Sequence, residues 1–316
     1  MLNIKLQVSG SNNQTPRTNT QAPSTKHQAP GTRYQAPKTK HQKPSTNNQA
    51  PTTKHQQPST NNQTMRPFAL SIAGFDPSAG AGLLADVKTM EASGVYGLGV
   101  CTALTVQNDV AFERVSWVAA ATIRDQIRVL FTRFRVDFVK FGLFESLPQL
   151  LELVGWLKGQ NPRLQLVWDP VLKATAGYEF HRSADRELLR ALCAEMALLT
   201  PNRPEMLRLW PAESAERAAE VVSGFCPVLL KGGHDDGELA TDVLFASGRR
   251  HEFSTPRLPH GEKHGSGCVL SAAVLAQLAQ GQSLVDACRV GKAYTTEFLA
   301  SNETLLGYHS RGLSPS

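Results

Sequence analysis

Residues 68–93 read "FALSIAGFDPSAGAGLLADVKTMEAS". Phe68 to Gly74 form an apolar run of strand length. A loop rich in glycine follows, and from Leu83 to Ser93 the apolar residues return at helical spacing. A run with no polar alternation suits a strand covered on both faces rather than one wetted on a side. The stretch therefore predicts a buried strand, a tight loop "FDPSAGAG", and a helix.

The alternation continues outward. "VYGLGVCTAL" reads as the next strand, then "AATIRDQIRVLFTRF" as a helix and "DFVKFGL" as a strand. Further strands are expected at "LQLVWD", "ALLTPN", "CPVLLKGG" and "ATDVLF". Helices are expected near 183–195 and 212–224, with two closing helices at 266–280 and 283–302. Continuous apolar strands alternating with amphipathic helices predict an α/β fold with a mostly parallel sheet covered on both faces. Ligands of such folds collect at the carboxyl ends of the strands. That points to loops 74–82, 105–109, 169–177, 200–205, 231–235 and 260–268.

The first 64 residues differ in kind. From Gln14 to Gln63 a glutamine recurs every seven residues, with a proline two places after each as far as Pro58. Proline in every repeat and the lack of an apolar pair exclude a coiled coil. A polar segment of this composition buries too little surface to offset chain entropy, so 1–64 is expected to be a disordered tail. It reads either as a basic arm or as repeat DNA translated upstream of a start at Met65. The Met65-Arg66-Pro67 entry into the first strand favours the second. Residues 65–316 are then the folded domain.

Charge follows the same boundary. Residues 1–64 hold eight of the 33 Lys and Arg and no Asp or Glu, leaving 25 basic against 27 acidic groups in the rest. The domain thus carries no net positive field for nucleic acid, and no specific nucleic-acid partner is expected. No run reaches the roughly 18 apolar residues of a membrane span, and the N-terminus lacks a signal-peptide pattern. Five cysteines, odd in number and without a C-x-x-C pair, suit reduced thiols and a cytoplasmic location.

"GxxxxGK[ST]" does not occur, and the spacing in "AGFDPSAGAG" is not that of a dinucleotide turn. In "HGEKHGSGC", His260, His264 and Cys268 fall four apart, but Pro259, Gly261, Gly265 and Gly267 argue against the helix that would gather them, and no fourth ligand is obvious, so a zinc site is not expected. Two readings of Gly265-Ser266-Gly267-Cys268 remain. One is an anion site made of unpaired amides at a helix N-terminus, which would also lower the Cys268 pKa. The other is a plain helix cap with a buried small residue.

The segments "ALSIAGFDPSAGAGLLADVKTMEASGVYGLGVCTALTVQND", "KFGL", "WDPVLKATAG", "TPNRPE", "LLKGGH", "ATDVLF" and "HGSGCVLSAA" occur in that order. Together they resemble the hydroxymethylpyrimidine/phosphomethylpyrimidine kinases of thiamine biosynthesis, in the ribokinase-like superfamily, from Phe68 to about Phe298. The resemblance implies a three-layer α/β/α sandwich. It also implies transfer of the γ-phosphoryl of Mg-ATP to a pyrimidine hydroxymethyl group and then to the monophosphate, by a homodimer without a membrane partner.

Carried over by motif, Gly74, Asp86, Gln107, Leu143 and Val171 would line the pyrimidine pocket. The Gln107 amide offers the donor and acceptor edge an aminopyrimidine needs. Asn202 and Lys231 would face the nucleotide phosphates, and Asp169 and Glu205 would hold Mg²⁺. Gly265, Ser266 and Gly267 would cradle the transferring phosphoryl, and a Cys268 thiolate would take the hydroxyl proton. Departures from the family pattern are Phe75 for serine, Ser266 for threonine and Lys173 for a small apolar residue. Pyridoxal or pyridoxine kinase activity and a non-catalytic pyrimidine sensor are the competing expectations.

Overall fold

The computed structural model describes residues 65–172, 185–232, 237–259 and 261–310. The expectation for the 1–64 tail, as well as Lys173 and His260, lies outside the described residues. β1 (Phe68–Phe75) is buried at six consecutive positions, as its apolar run predicts. After the loop come α1 (Gly82–Ala92) and β2 (Tyr96–Gln107), which lies parallel to β1. The chain then doubles back in β3 (Phe112–Trp117), antiparallel to β2, and enters α2 (Ala120–Phe131).

β4 (Phe138–Phe141), α3 (Leu147–Gln160), β5 (Gln165–Trp168), α4 (Arg186–Ala194) and β6 (Leu198–Leu199) follow. The second half holds α5 (Arg203–Leu209), α6 (Ala215–Val222), β7 (Val228–Leu230), β8 (Leu239–Ala246), β9 (Arg249–Pro256), α7 (Ser266–Ala279) and α8 (Leu284–Ala300). Among the described residues the strands form one sheet in the order β3-β2-β1-β4-β5-β6-β7-β8-β9. β2, β1, β4, β5, β6 and β7 run parallel, and antiparallel strands lie at both edges.

Side chains of the central strands alternate between two cores. Leu70, Ile72, Val139, Phe141, Leu166 and Trp168 pack on the side of α2 to α6. Ala69, Val167, Leu198 and Leu229 face α7 and α8. A sheet covered on both faces has no wet side, which is why its strands read as continuous apolar runs. The expected α/β/α layering is observed. Among the described residues, no helix is long and apolar enough to cross a membrane.

Four elements were not expected from the pattern. α3 begins with Ser146 as N-cap and a proline in its first turn, both ordinary start signals, and buries Leu147, Leu150, Leu153, Val154 and Leu157. α5 has only seven residues. β3 and β9 are edge strands whose residues are mostly exposed or half-buried, so they lack the apolar run that marks their neighbours.

The strand order reverses at β1. The chain leaves β1 for β2 on one side and returns as β4 on the other. Such a switch point opens a crevice at the carboxyl ends of the strands, where the loops cannot cover both sides.

Candidate active site

The last strand before α7 leads into a turn whose geometry is set by Gly265. This residue is the N-cap of α7, with φ 76°, and provides no side-chain acceptor for the first-turn amides. Those amides have no intrahelical acceptor and sit at the positive end of the helix dipole. A methyl placed on Gly267 would sit 3.0 Å from Lys231 Nζ and 3.9 Å from Asp169 Oδ2. The turn therefore faces charged side chains carried by other strands.

Those side chains form a chain of alternating charge. Asp169 directly follows β5 and Lys231 directly follows β7, at carboxyl ends of the sheet that flank β6. Lys231 Nζ donates to Asp169 Oδ1 at 2.7 Å and lies 3.6 Å from Glu205 Oε2. Thr200 Oγ1 donates to the same Asp169 oxygen at 3.2 Å. Burial pushes the Asp169 carboxyl up, but the Lys231 and Lys140 ammoniums outweigh it and hold it below the usual carboxylate range. Burial lowers the Lys231 ammonium, and Asp169 and Glu205 more than reverse this, so it stays charged. Glu205 is raised by burial against the pull of Lys231, with Asp169 adding repulsion.

Asn202 and Glu205 have a structural task as well. Asn202 caps α5 and its Oδ1 accepts from the Glu205 amide at 2.8 Å, while Glu205 Oε2 accepts from the Asn202 amide at 2.8 Å. The N-x-x-E spacing is thus also a capping box, which the sequence reading did not consider. It turns the Glu205 carboxylate toward Lys231.

On the other side of the crevice Gly74 and Leu143 meet directly, because a methyl on Gly74 would touch Leu143 Cδ2 at 3.0 Å. Thr102 Oγ1 donates to the Leu143 carbonyl at 2.6 Å, and Thr105 Oγ1 to the Phe75 carbonyl at 2.8 Å. Gln107 ends β2, three residues past the partner of Phe75, where the pairing with β3 shifts register. The Val171 amide donates to the Asp169 carbonyl at 2.9 Å, which keeps it next to the carboxylate. Four of the five expected pyrimidine residues thus come from the ends of β1, β2, β4 and β5, and the fifth, Asp86, from α1.

Asp86 differs from a solvated helix residue. It is fully buried, with Lys140 Nζ donating to Oδ1 and Ser71 Oγ donating to Oδ2, each at 2.5 Å. Lys140, itself fully buried in β4, was missed. A lysine inside "FVKFGL" was the available signal, since an ammonium in a strand buried on both faces requires a partner.

The Asp76–His264 pair was also missed. Asp76 accepts from the Ser78 and Ala81 amides at 2.9 Å and from His264 Nε2 at 2.8 Å. Burial raises its carboxyl, but these bonds outweigh that and hold it below its ordinary value. His264 Nε2 is thereby tied to the first loop. Among the described residues, no three His, Cys, Asp or Glu side chains are grouped to hold a metal.

The surroundings of Cys268 in the ligand-free chain oppose the expected thiolate. The residue is buried, and burial pushes its thiol up to about 12 despite the opposing pull of Lys140 and a bond from the Gly82 amide. Asp86 and Asp169 add negative charge on the same side. The helix dipole is a partial charge and loses to desolvation plus two carboxylates. Iodoacetamide is expected to label Cys268 of the ligand-free protein slowly at pH 7, read by mass spectrometry of the peptide. Rapid stoichiometric labelling there would contradict a protonated thiol. All five cysteines are free, as expected from their number and spacing.

A family model described as phosphomethylpyrimidine kinase matches residues 76–312. The hydroxymethylpyrimidine/phosphomethylpyrimidine kinase of Aquifex aeolicus is 33% identical over 246 residues, spanning 75% of this chain and 96% of the relative. Among solved structures, a phosphomethylpyrimidine kinase from Clostridium difficile is 34% identical with a TM-score of 0.61, covering 73% of this chain and 99% of that one. An ADP complex of Bacillus subtilis pyridoxal kinase is 27% identical with a TM-score of 0.64, covering 76% and 92%. Matched along the stretch that carries both the amide turn and its charged partners, the chain belongs to the phosphomethylpyrimidine kinase family.

Proposed function

We propose that residues 65–316 form a cytoplasmic, homodimeric kinase domain. It uses ATP to phosphorylate 4-amino-5-hydroxymethyl-2-methylpyrimidine and then its monophosphate, in thiamine biosynthesis. The observation that carries this reading is the amide turn of α7 lying against Lys231 and Asp169. Phosphoryl transfer depends mainly on positioning and charge stabilisation, and this arrangement offers both.

In this reading the Gly265, Ser266, Gly267 and Cys268 amides receive the charge of the transferring group, with Lys231 and Asn202 on the nucleotide side. Asp169 and Glu205 suit Mg²⁺, which needs only one or two carboxylates beside phosphate oxygens and waters. When bound, that ion would neutralise phosphate charge. Gly74, Asp86, Gln107, Leu143 and Val171 hold the heterocycle with its hydroxymethyl oxygen toward the turn. Cys268, protonated before substrates bind, receives the hydroxyl proton only if its thiol ionises in the complex, so the amides contribute more than the sulfur.

ADP release with Mg-ATP tests the proposal, comparing hydroxymethylpyrimidine, pyridoxal and no acceptor. A kcat/KM for the pyrimidine well above that for pyridoxal is expected. A strong pyridoxal preference would favour the second reading, which the likeness to Bacillus subtilis pyridoxal kinase supports. Binding of the pyrimidine without turnover would instead mark a sensor.

A further inference from the structure

Lys140 has no role in the chemistry described so far, yet it stands at the junction of the two halves of the site. In β4 it pairs with Ser71 of β1 on one side and Val167 of β5 on the other, at the switch point of the sheet. Its Nζ donates to Asp86 Oδ1 at 2.5 Å and lies 4.0 Å from Asp169 Oδ2. Lys140 and Asp86 are 0% exposed and Asp169 is 2% exposed. The series Asp86, Lys140, Asp169, Lys231, Glu205 therefore runs without a break from α1 to the capping box of α5.

Stability alone does not account for such a chain. Two desolvated charges cost several kcal/mol each, and well-packed apolar residues of similar size are often no less stable. What a buried ammonium provides that an apolar side chain cannot is direction. It draws each carboxylate to a fixed point, and the strand holds the lysine stem in turn. A single group does this here for the acceptor side and the nucleotide side together.

We propose that Lys140 is a positioning residue of the phosphoryl transfer, fixing the Asp86 and Asp169 carboxylates at once so that both halves of the site keep one geometry. The proposal rests on the kinase reading above. The competing account is that Lys140 only neutralises Asp86.

Turnover of the pyrimidine alcohol by the wild type tests the kinase reading and is measured first. Comparison of variants with one another, on the acceptor the wild type uses best, tests Lys140. Lys140→Met alone leaves the Asp86 carboxyl buried with Ser71 Oγ but without its ammonium, and loss of folding is one result of that. The deciding protein is Asp86→Asn/Lys140→Met, which buries no unpaired charge at this pair, compared with Asp86→Asn. The double variant is expected to fold with a melting temperature close to that of Asp86→Asn, and with a similar KM for the acceptor. Its kcat should be roughly 10²-fold lower, because misplacement on the scale of 1 Å costs that much. Its calorimetric affinity for a non-hydrolysable ATP analogue should also be weaker. Equal kcat and equal nucleotide affinity in the two proteins would overturn the proposal.

Discussion

Gly265→Ala is expected to lower kcat by about 10²–10³-fold, the loss usually seen when a backbone or amide donor is displaced from a charge-stabilising site. Two effects act together. At φ 76° an alanine pays for a left-handed backbone, about 1–2 kcal/mol. The added methyl would also lie 2.1 Å from the Gly80 carbonyl oxygen and 2.6 Å from Ala81 Cα, both of them main chain. Neither can rotate away, so the turn itself must shift, and the amides of Gly267 and Cys268 move with it. Gly281→Ala separates the two effects. Gly281 has φ 85° but nothing within 4 Å of an added methyl. It should lose stability of the same order and keep wild-type kcat. Wild-type kcat in Gly265→Ala would remove the turn from the mechanism.

Lys231→Met is expected to affect both activity and stability. It leaves Asp169 and Glu205 buried without their shared ammonium, and breaking a buried pair from one side costs about 3–5 kcal/mol. Loss of a cation facing the phosphates should also lower kcat by at least about 10²-fold. The stability loss has a pH signature. In the wild type Asp169 sits below its unfolded value, because Lys231 and Lys140 outweigh burial. Its contribution is present above the unfolded carboxylate pKa of about 3.9 and is lost as pH falls through the folded value. Without Lys231 burial dominates, and the folded value moves above the unfolded one. The variant then gains relative stability as the carboxyl takes up a proton. The gap in melting temperature between the two proteins, measured in EDTA, should therefore be widest near pH 7 and narrow toward pH 4. A gap of constant width would mean that Asp169 does not depend on Lys231.

Much of the site could be read before folding was considered. The loop after β1, the carboxylate closing β5, the lysine after β7 and the glycine turn before α7 all lie where an α/β pattern puts ligand loops, and they converge as expected. Legibility ended at residues whose role depends on burial. Asp86 looks like a surface helix residue in a string of letters, because nothing local says which face of α1 meets the sheet. Lys140 was visible as an oddity in an apolar strand, but its partner is 54 residues away. His264 is separated from Asp76 by 188. Cys268 was judged by the helix it begins, whereas desolvation and carboxylates from α1 and the end of β5 oppose its ionisation.

The sequence by itself determined the class of the fold, the mostly parallel sheet, the carboxyl-end loops and the glycine-rich entry into α7. These follow from apolar periodicity, glycine placement and short-range motifs, all properties of neighbouring residues. Only the tertiary structure decided which charges are paired, which thiol is buried beside two carboxylates, and that one lysine touches both halves of the crevice. Those outcomes depend on desolvation and on Coulomb contacts of a few ångströms between strands distant in the chain, and no local pattern encodes such distances.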